Sequence, residues 1–226
     1  MGTNPSTFNQ RENCPEDFLR VDGVSLCPLH PVEGVSWNQI AETENSENLE
    51  IPKIQKIYKP KTYKKDTFLR RLKDDFGIQA RLPTEAERER AMRGAVKNPY
   101  FYYPFSFGHI GKLHSNLAKH AWFDSNSNEQ THRVGQKEWN SLAVADLNGN
   151  VGEWVEDWFA PNYWEKCNPC LNPQGPDRPI IFEYRGIRGG SWRSRLPSSL
   201  SSSYRYFYPA EEGFYEVGFR LAIETQ

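Results

Sequence analysis

Apolar positions recur at helical spacing in three stretches of the chain. Ser36 opens the first: Gln39, three residues on, completes a capping box, and Trp37, Ile40 and Ala41 supply a stripe to bury. The second runs from Asp66 to Phe76, with Phe68, Leu69 and Leu72 on one side and Gly77 as its stop. After a brief extended piece ending at Leu82-Pro83, Thr84 and Glu87 make another capping box. A helix is predicted there over Glu85 to Arg93, offering Ala86, Ala91 and Met92 for packing. Residues 1–35 are broken by Asn-Pro, Cys-Pro and His-Pro dipeptides, so they should wrap over other elements rather than form a core. Beyond Ser115 the helical spacing fades. Asn126, Asn128, Asn148, Gly149, Asn150 and Pro161 punctuate the rest, which predicts short strands joined by long loops.

The 226 residues suit one large domain, and with 14% aromatic residues its core should be built from large rings carrying polar handles. Loops on this scale need something besides a hydrophobic core to hold them, and a bound cation is one candidate. A formal charge of −1 gives no global pull towards nucleic acid or an anionic membrane. The six lysines between Lys53 and Lys65 therefore read as a solvated loop, and the rings of Gly94 to Pro104 as packing within their own domain. No apolar run approaches the roughly 18 residues of a membrane span. Cys14, Cys27, Cys167 and Cys170 are too few and scattered for a small secreted disulfide framework. The Cys167-Asn-Pro-Cys170 spacing fits redox and zinc sites, but a zinc site wants a second ligand pair, so ordinary thiols or a loop disulfide are the expectation.

The most informative stretch is Asp146-Leu-Asn-Gly-Asn-Val-Gly-Glu153-Trp. It sets a carboxylate, amides around a glycine turn, and a second carboxylate in one short loop. Calcium takes oxygen ligands from carboxylates, amides and carbonyls, so the chemistry suits calcium better than zinc. The ligand spacing is not that of an EF-hand, and an Asx turn leading into an amphipathic strand is the plain alternative.

This stretch also resembles the Gly-Asn-Val-Trp-Glu-Trp signature of the formylglycine-generating-enzyme, or sulfatase-modifying-factor, family. Other blocks agree in order: His30-Pro-Val-Glu-Gly-Val-Ser-Trp37, Arg81-Leu-Pro-Thr-Glu-Ala-Glu-Arg88, Arg188-Gly-Gly-Ser-Trp192 and Gly218-Phe-Arg-Leu-Ala222. Arg88 stands where the family usually has Trp. The resemblance implies a single α+β, loop-rich domain of the C-type-lectin-like type over residues 1–226, lacking the strands that precede this region in other members. It implies a calcium site at Asp146, Glu153 and the backbone oxygens of Gly149 and Val151.

The family's copper(I) oxidation of a substrate cysteine uses two cysteines shortly after Arg-Gly-Gly-Ser. Here Ser194 and Ser199 fall at the matching spacing, and hydroxyls are hard, poor ligands for a soft cation. Gly152 replaces the family Trp that borders the oxygen pocket. Copper is therefore not expected. Family members also serve as domains appended to bacterial kinases or as variable proteins diversified by retroelements. The expectation is accordingly a catalytically inactive, calcium-stabilised module that binds a protein, peptide or small ligand, with no nucleic acid partner. The candidate face comprises Ser191, Arg193, Ser194, Arg195, Ser199, Tyr204, Arg205, Tyr206 and Phe207, since Tyr and Arg favour recognition and serines adapt their hydrogen bonds. The rival is an oxidase or other enzyme working on the same scaffold with non-cysteine residues.

Overall fold

The computed structural model describes residues 6–7, 10, 12–16, 19–21, 24–43, 63–95, 105–106, 113–167, 170–180 and 182–223. Most of the lysine-rich stretch and of the aromatic Gly94–Pro104 loop lies outside them. The three expected helices form. Helix α1 (Trp37–Ala41) and helix α3 (Glu85–Arg93) each begin with the reciprocal capping box read from Ser36/Gln39 and Thr84/Glu87. Helix α2 (Phe68–Phe76) starts one residue after a Thr67 cap, not at Asp66, and stops at Gly77 in the left-handed conformation. Helix α4 (Leu113–His120) crosses the point beyond which the sequence predicts none. Its Leu117, wholly buried with Phe105, Ala121, Phe123 and Leu200, gives too short an apolar pattern to stand out in the sequence. Helix α5 (Tyr163–Lys166) is a single turn.

Strands β1 (Leu19–Val21) and β2 (Val24–Leu26) form an antiparallel hairpin in the N-terminal segment. Strands β3 (Ala80–Arg81) and β10 (Ala222–Ile223) pair antiparallel, and β4 (Ala121–Trp122) and β5 (Asn148–Gly149) pair parallel. The principal sheet joins β6 (Gly152–Trp158), β7 (Tyr184–Arg188), β8 (Tyr206–Pro209) and β9 (Val217–Phe219) in the order β8-β7-β6-β9. The architecture is thus mixed helix and strand, short in its elements and rich in loops, as expected.

Strand β6 is the centre of the molecule, buried on both faces from Gly152 to Asp157. Trp154 and Trp37 lock it to α1: each indole N–H donates to a backbone carbonyl, Val35 and Val155 respectively, at 2.9 Å. Arg185 is held flat between Trp37 and Trp158, its guanidinium carbon 3.4 and 3.3 Å from the ring centres. The four cysteines pair as Cys14–Cys27, which flanks the β1–β2 hairpin, and Cys167–Cys170. The second pair is a loop disulfide, but the first carries no local signal in the sequence.

Candidate functional site

Side chains on a strand alternate between faces, and the two faces of the principal sheet have opposite chemistry. One face lies under α3 and is ionic. There Glu153, 4% exposed, is held by two arginines. Arg88 donates through Nε to Oε2 at 2.5 Å, and Arg220 donates through Nε to Oε2 at 2.7 Å and through Nη2 to Oε1 at 2.6 Å. Burial pushes the Glu153 carboxyl upward, but Arg220 and Arg88 outweigh it and hold it below the ordinary glutamate range. Arg88 itself is lowered by burial to about 10, against the pull of Glu153, and stays charged at neutral pH. Beside this triad, Arg188 binds Glu85 at 3.0 Å and Glu89 at 2.6 Å, and Arg205 grips Glu85 at 2.6 and 2.8 Å.

This arrangement bears directly on the expected calcium set. Asp146 and Glu153 do fall in one loop with Gly149 and Val151. As folded, however, Glu153 does not fit a calcium ion, because both of its oxygens already face guanidinium groups and a divalent cation would meet two positive charges. Arg220 also donates to the Asp146 carbonyl at 3.3 Å. The Asp146 side chain differs: Oδ2 accepts from the Gly135 N–H at 2.6 Å, while Oδ1 is buried without a hydrogen-bond partner. Burial raises the Asp146 carboxyl above its usual value. Among the described residues no three His, Cys, Asp or Glu side chains converge on one point. Arg88, visible in the sequence only as a replacement for Trp, thus joins Arg220 in bringing positive charge to the Glu153 carboxylate.

The opposite face carries a cavity of about 270 Å³. Gly152, Ile187 and Val217 line it from β6, β7 and β9, Gly190, Ser191, Ser194 and Ser199 from the loop after β7, and Tyr204, Tyr206, Tyr208 and Glu216 complete it. A Cβ on Gly152 would come within 3.0 Å of Ile187 Cγ2, so Ile187 packs directly over this glycine at the cavity wall. Gly190 has φ +68°, and a Cβ there would meet the Ser199 carbonyl at 2.7 Å and Ser194 Oγ at 2.9 Å. The serine loop can close only over a glycine. Ser194 Oγ accepts from the Ser191 N–H at 3.0 Å, and Ser199 donates to the Leu196 carbonyl at 2.6 Å. Tyr204 stacks parallel to Tyr206 with centroids 6.5 Å apart, and Tyr206 meets Tyr208 edge-on at 4.9 Å.

The nine residues expected on the ligand face therefore divide. Ser191, Ser194, Ser199, Tyr204 and Tyr206 line the cavity, and Arg193, Arg195, Arg205 and Phe207 do not. The parity of the chain entering β8 explains part of this, because even-numbered residues face the cavity and odd-numbered ones turn away. Phe207 stacks on Phe159 at 4.3 Å, and Arg205 is consumed by Glu85 and the Ala160 carbonyl. Arg193 donates to the Tyr215 hydroxyl, and Arg195, 81% exposed, lies 3.5 Å from Asp124. Tyr208 and Glu216 are additions. The Tyr208 hydroxyl donates to Glu216 Oε1 at 2.9 Å, and burial together with that carboxylate raises the phenol above its usual value, so it stays protonated. Alternation from Tyr204 through Tyr206 could have signalled Tyr208, but nothing local marks Glu216.

Comparison with known proteins follows the same lines. The family described as sulfatase-modifying factor enzyme 1-like domain matches residues 7–225. The chain is 35% identical over 130 residues to serine/threonine-protein kinase pkn1 of Chlamydia caviae, covering 57% of this chain and 18% of the kinase. It is 32% identical over 116 residues to the formylglycine-generating enzyme of Streptomyces coelicolor, covering 50% of this chain and 36% of that enzyme. Both relatives are much longer than the matched segment. Among solved structures, Treponema denticola variable protein 1 superposes with a TM-score of 0.65 at 24% identity, covering 99% of this chain and 78% of that one, a likeness of fold.

Proposed function

The chain belongs to the sulfatase-modifying factor enzyme 1-like family and has its loop-rich fold, and within it we propose a catalytically inactive module that binds ligand in the serine- and tyrosine-lined cavity. The observation that carries this reading is the lining of that cavity. Where the family's copper chemistry calls for two thiolates, Ser194 and Ser199 stand in the wall, and Gly152 brings no ring to it. Among the described residues the cavity holds no histidine or cysteine, so its serines have no adjacent imidazole to activate them as nucleophiles. What the wall does offer is recognition: hydroxyls that donate and accept, and ring faces that pack. A cavity of about 270 Å³ suits one side chain or a small molecule. The likeness to a segment that forms 18% of a kinase supports a domain working beside others, with a peptide or protein as one class of ligand.

A copper(I) competition tests the inactive half of this reading. The protein is titrated into the coloured copper(I)–bicinchoninate complex, with ascorbate as reductant so that the two disulfides persist. Wild type is expected to leave the colour unchanged. A variant carrying both Ser194→Cys and Ser199→Cys is expected to bleach it, because two soft ligands then share the cavity wall. Stoichiometric bleaching by wild type would overturn the assignment.

A further inference from the structure

We infer that the cavity selects an organic cation, an alkylammonium or guanidinium group, through Glu216; this rests on the binding role proposed above. Glu216 is the one charged residue in the described lining. Its two carboxylate oxygens are not equivalent: Oε1 accepts from Tyr208, whereas Oε2 is shielded from solvent with no hydrogen-bond donor. A carboxylate oxygen in that position is costly to leave unmatched, and it is matched best by a charged donor. Among the described residues the protein supplies none. The arginines of this region are committed elsewhere: Arg193 to Tyr215, Arg195 to Asp124, Arg205 to Glu85 and Arg220 to Glu153.

The rest of the wall fits the same class of ligand. Tyr204, Tyr206 and Tyr208 present aromatic rings, whose faces attract cations. Ile187 and Val217 give an apolar floor against which a methylene chain can lie, and the volume admits such a chain with its charged head. The serine hydroxyls can accept the ammonium protons that Glu216 does not. Anionic ligands are disfavoured, since they would be brought up to a carboxylate with no cation in the described lining to offset it.

The test is an amide-resolved NMR titration of the whole chain with N-acetyl-lysine amide, its uncharged isostere N-acetyl-norleucine amide, and n-butylammonium. The lysine probe is expected to move the resonances of Gly152, Gly190 and Val217 saturably, with the norleucine probe at least about ten-fold weaker. Glu216→Gln is expected to abolish that preference, bringing the lysine response down to that of the norleucine probe. Equal affinity of butylammonium and the lysine amide identifies a free amine as sufficient, whereas tighter binding of the lysine amide identifies the side chain of a peptide or protein. If norleucine binds as well as lysine, the cation assignment falls and the binding role stands. If no probe moves the cavity resonances, both fall. The wild-type comparison decides the matter even if Glu216→Gln does not fold.

Discussion

Glu153→Gln should destabilise the domain by about 3–5 kcal/mol, the range for breaking a buried ion pair by removing one partner. The substitution keeps the side chain's shape and removes its charge. Arg88, 1% exposed, and Arg220 then face each other across a neutral amide that can accept on one atom only. Denaturant melts of wild type and variant measure the loss. The same triad sets an acid limit. Because the folded Glu153 carboxyl titrates below its ordinary value of 4.5, its contribution is full above about that pH. It is lost as pH falls through the lower, folded value. Asp146 works in the opposite sense, since its raised carboxyl gains from protonation as pH falls. Added calcium should leave the melting temperature of both proteins unchanged, because guanidinium groups already neutralise Glu153. A calcium-dependent rise in wild type that disappears in Glu153→Gln would show that the ion displaces Arg220.

Gly149→Ala should cost about 4 kcal/mol or more, at the exceptional end of single substitutions. Gly149 has φ +78°, which alone penalises an alanine by about 1–2 kcal/mol. Steric overlap adds more than the backbone conformation does. A Cβ at this position would lie 2.0 Å from the Trp122 carbonyl oxygen, a backbone atom that cannot rotate aside. Strand β5 pairs with β4 at this point, with Gly149 opposite Trp122, so relief requires the two strands to separate. The loop from Asp146 to Glu153 would then lose its anchor. A variant that melts within about 1 kcal/mol of wild type would mean that this pairing is dispensable.

Both effects concern the stretch that is most readable in the sequence, yet only part of their cause is readable there. Reciprocal side-chain caps are local and use fixed spacing, so Ser36/Gln39 and Thr84/Glu87 locate α1 and α3 closely. Among the described side chains of helix α4, Leu117 is the one fully buried, and the local pattern does not reveal the helix. The Arg88–Glu153 contact joins residues 65 apart, and no local pattern links them. Arg88 is visible as an anomaly in a motif, but its role depends on α3 lying across β6. The cavity shows the same division. Ser191, Ser194 and Ser199 follow from the motif, and strand parity separates Tyr204 and Tyr206 from Arg205 and Phe207. Glu216 requires the fold, because only packing against Tyr208 distinguishes it from any other glutamate near the C-terminal motif.

The two faces of the principal sheet carry the two features on which the proposed inactivity rests. Under α3, guanidinium groups balance the Glu153 carboxylate; across the sheet, hydroxyls and rings line the cavity. The measurement that addresses this most directly is turnover of a cysteine-containing peptide by the copper(I)-treated protein in air, run beside a genuine formylglycine-generating enzyme. An aldehyde product from the comparison enzyme and none from this chain is the predicted result. Aldehyde formed by this chain at a comparable rate, and abolished by Ser194→Ala or Ser199→Ala, would contradict it.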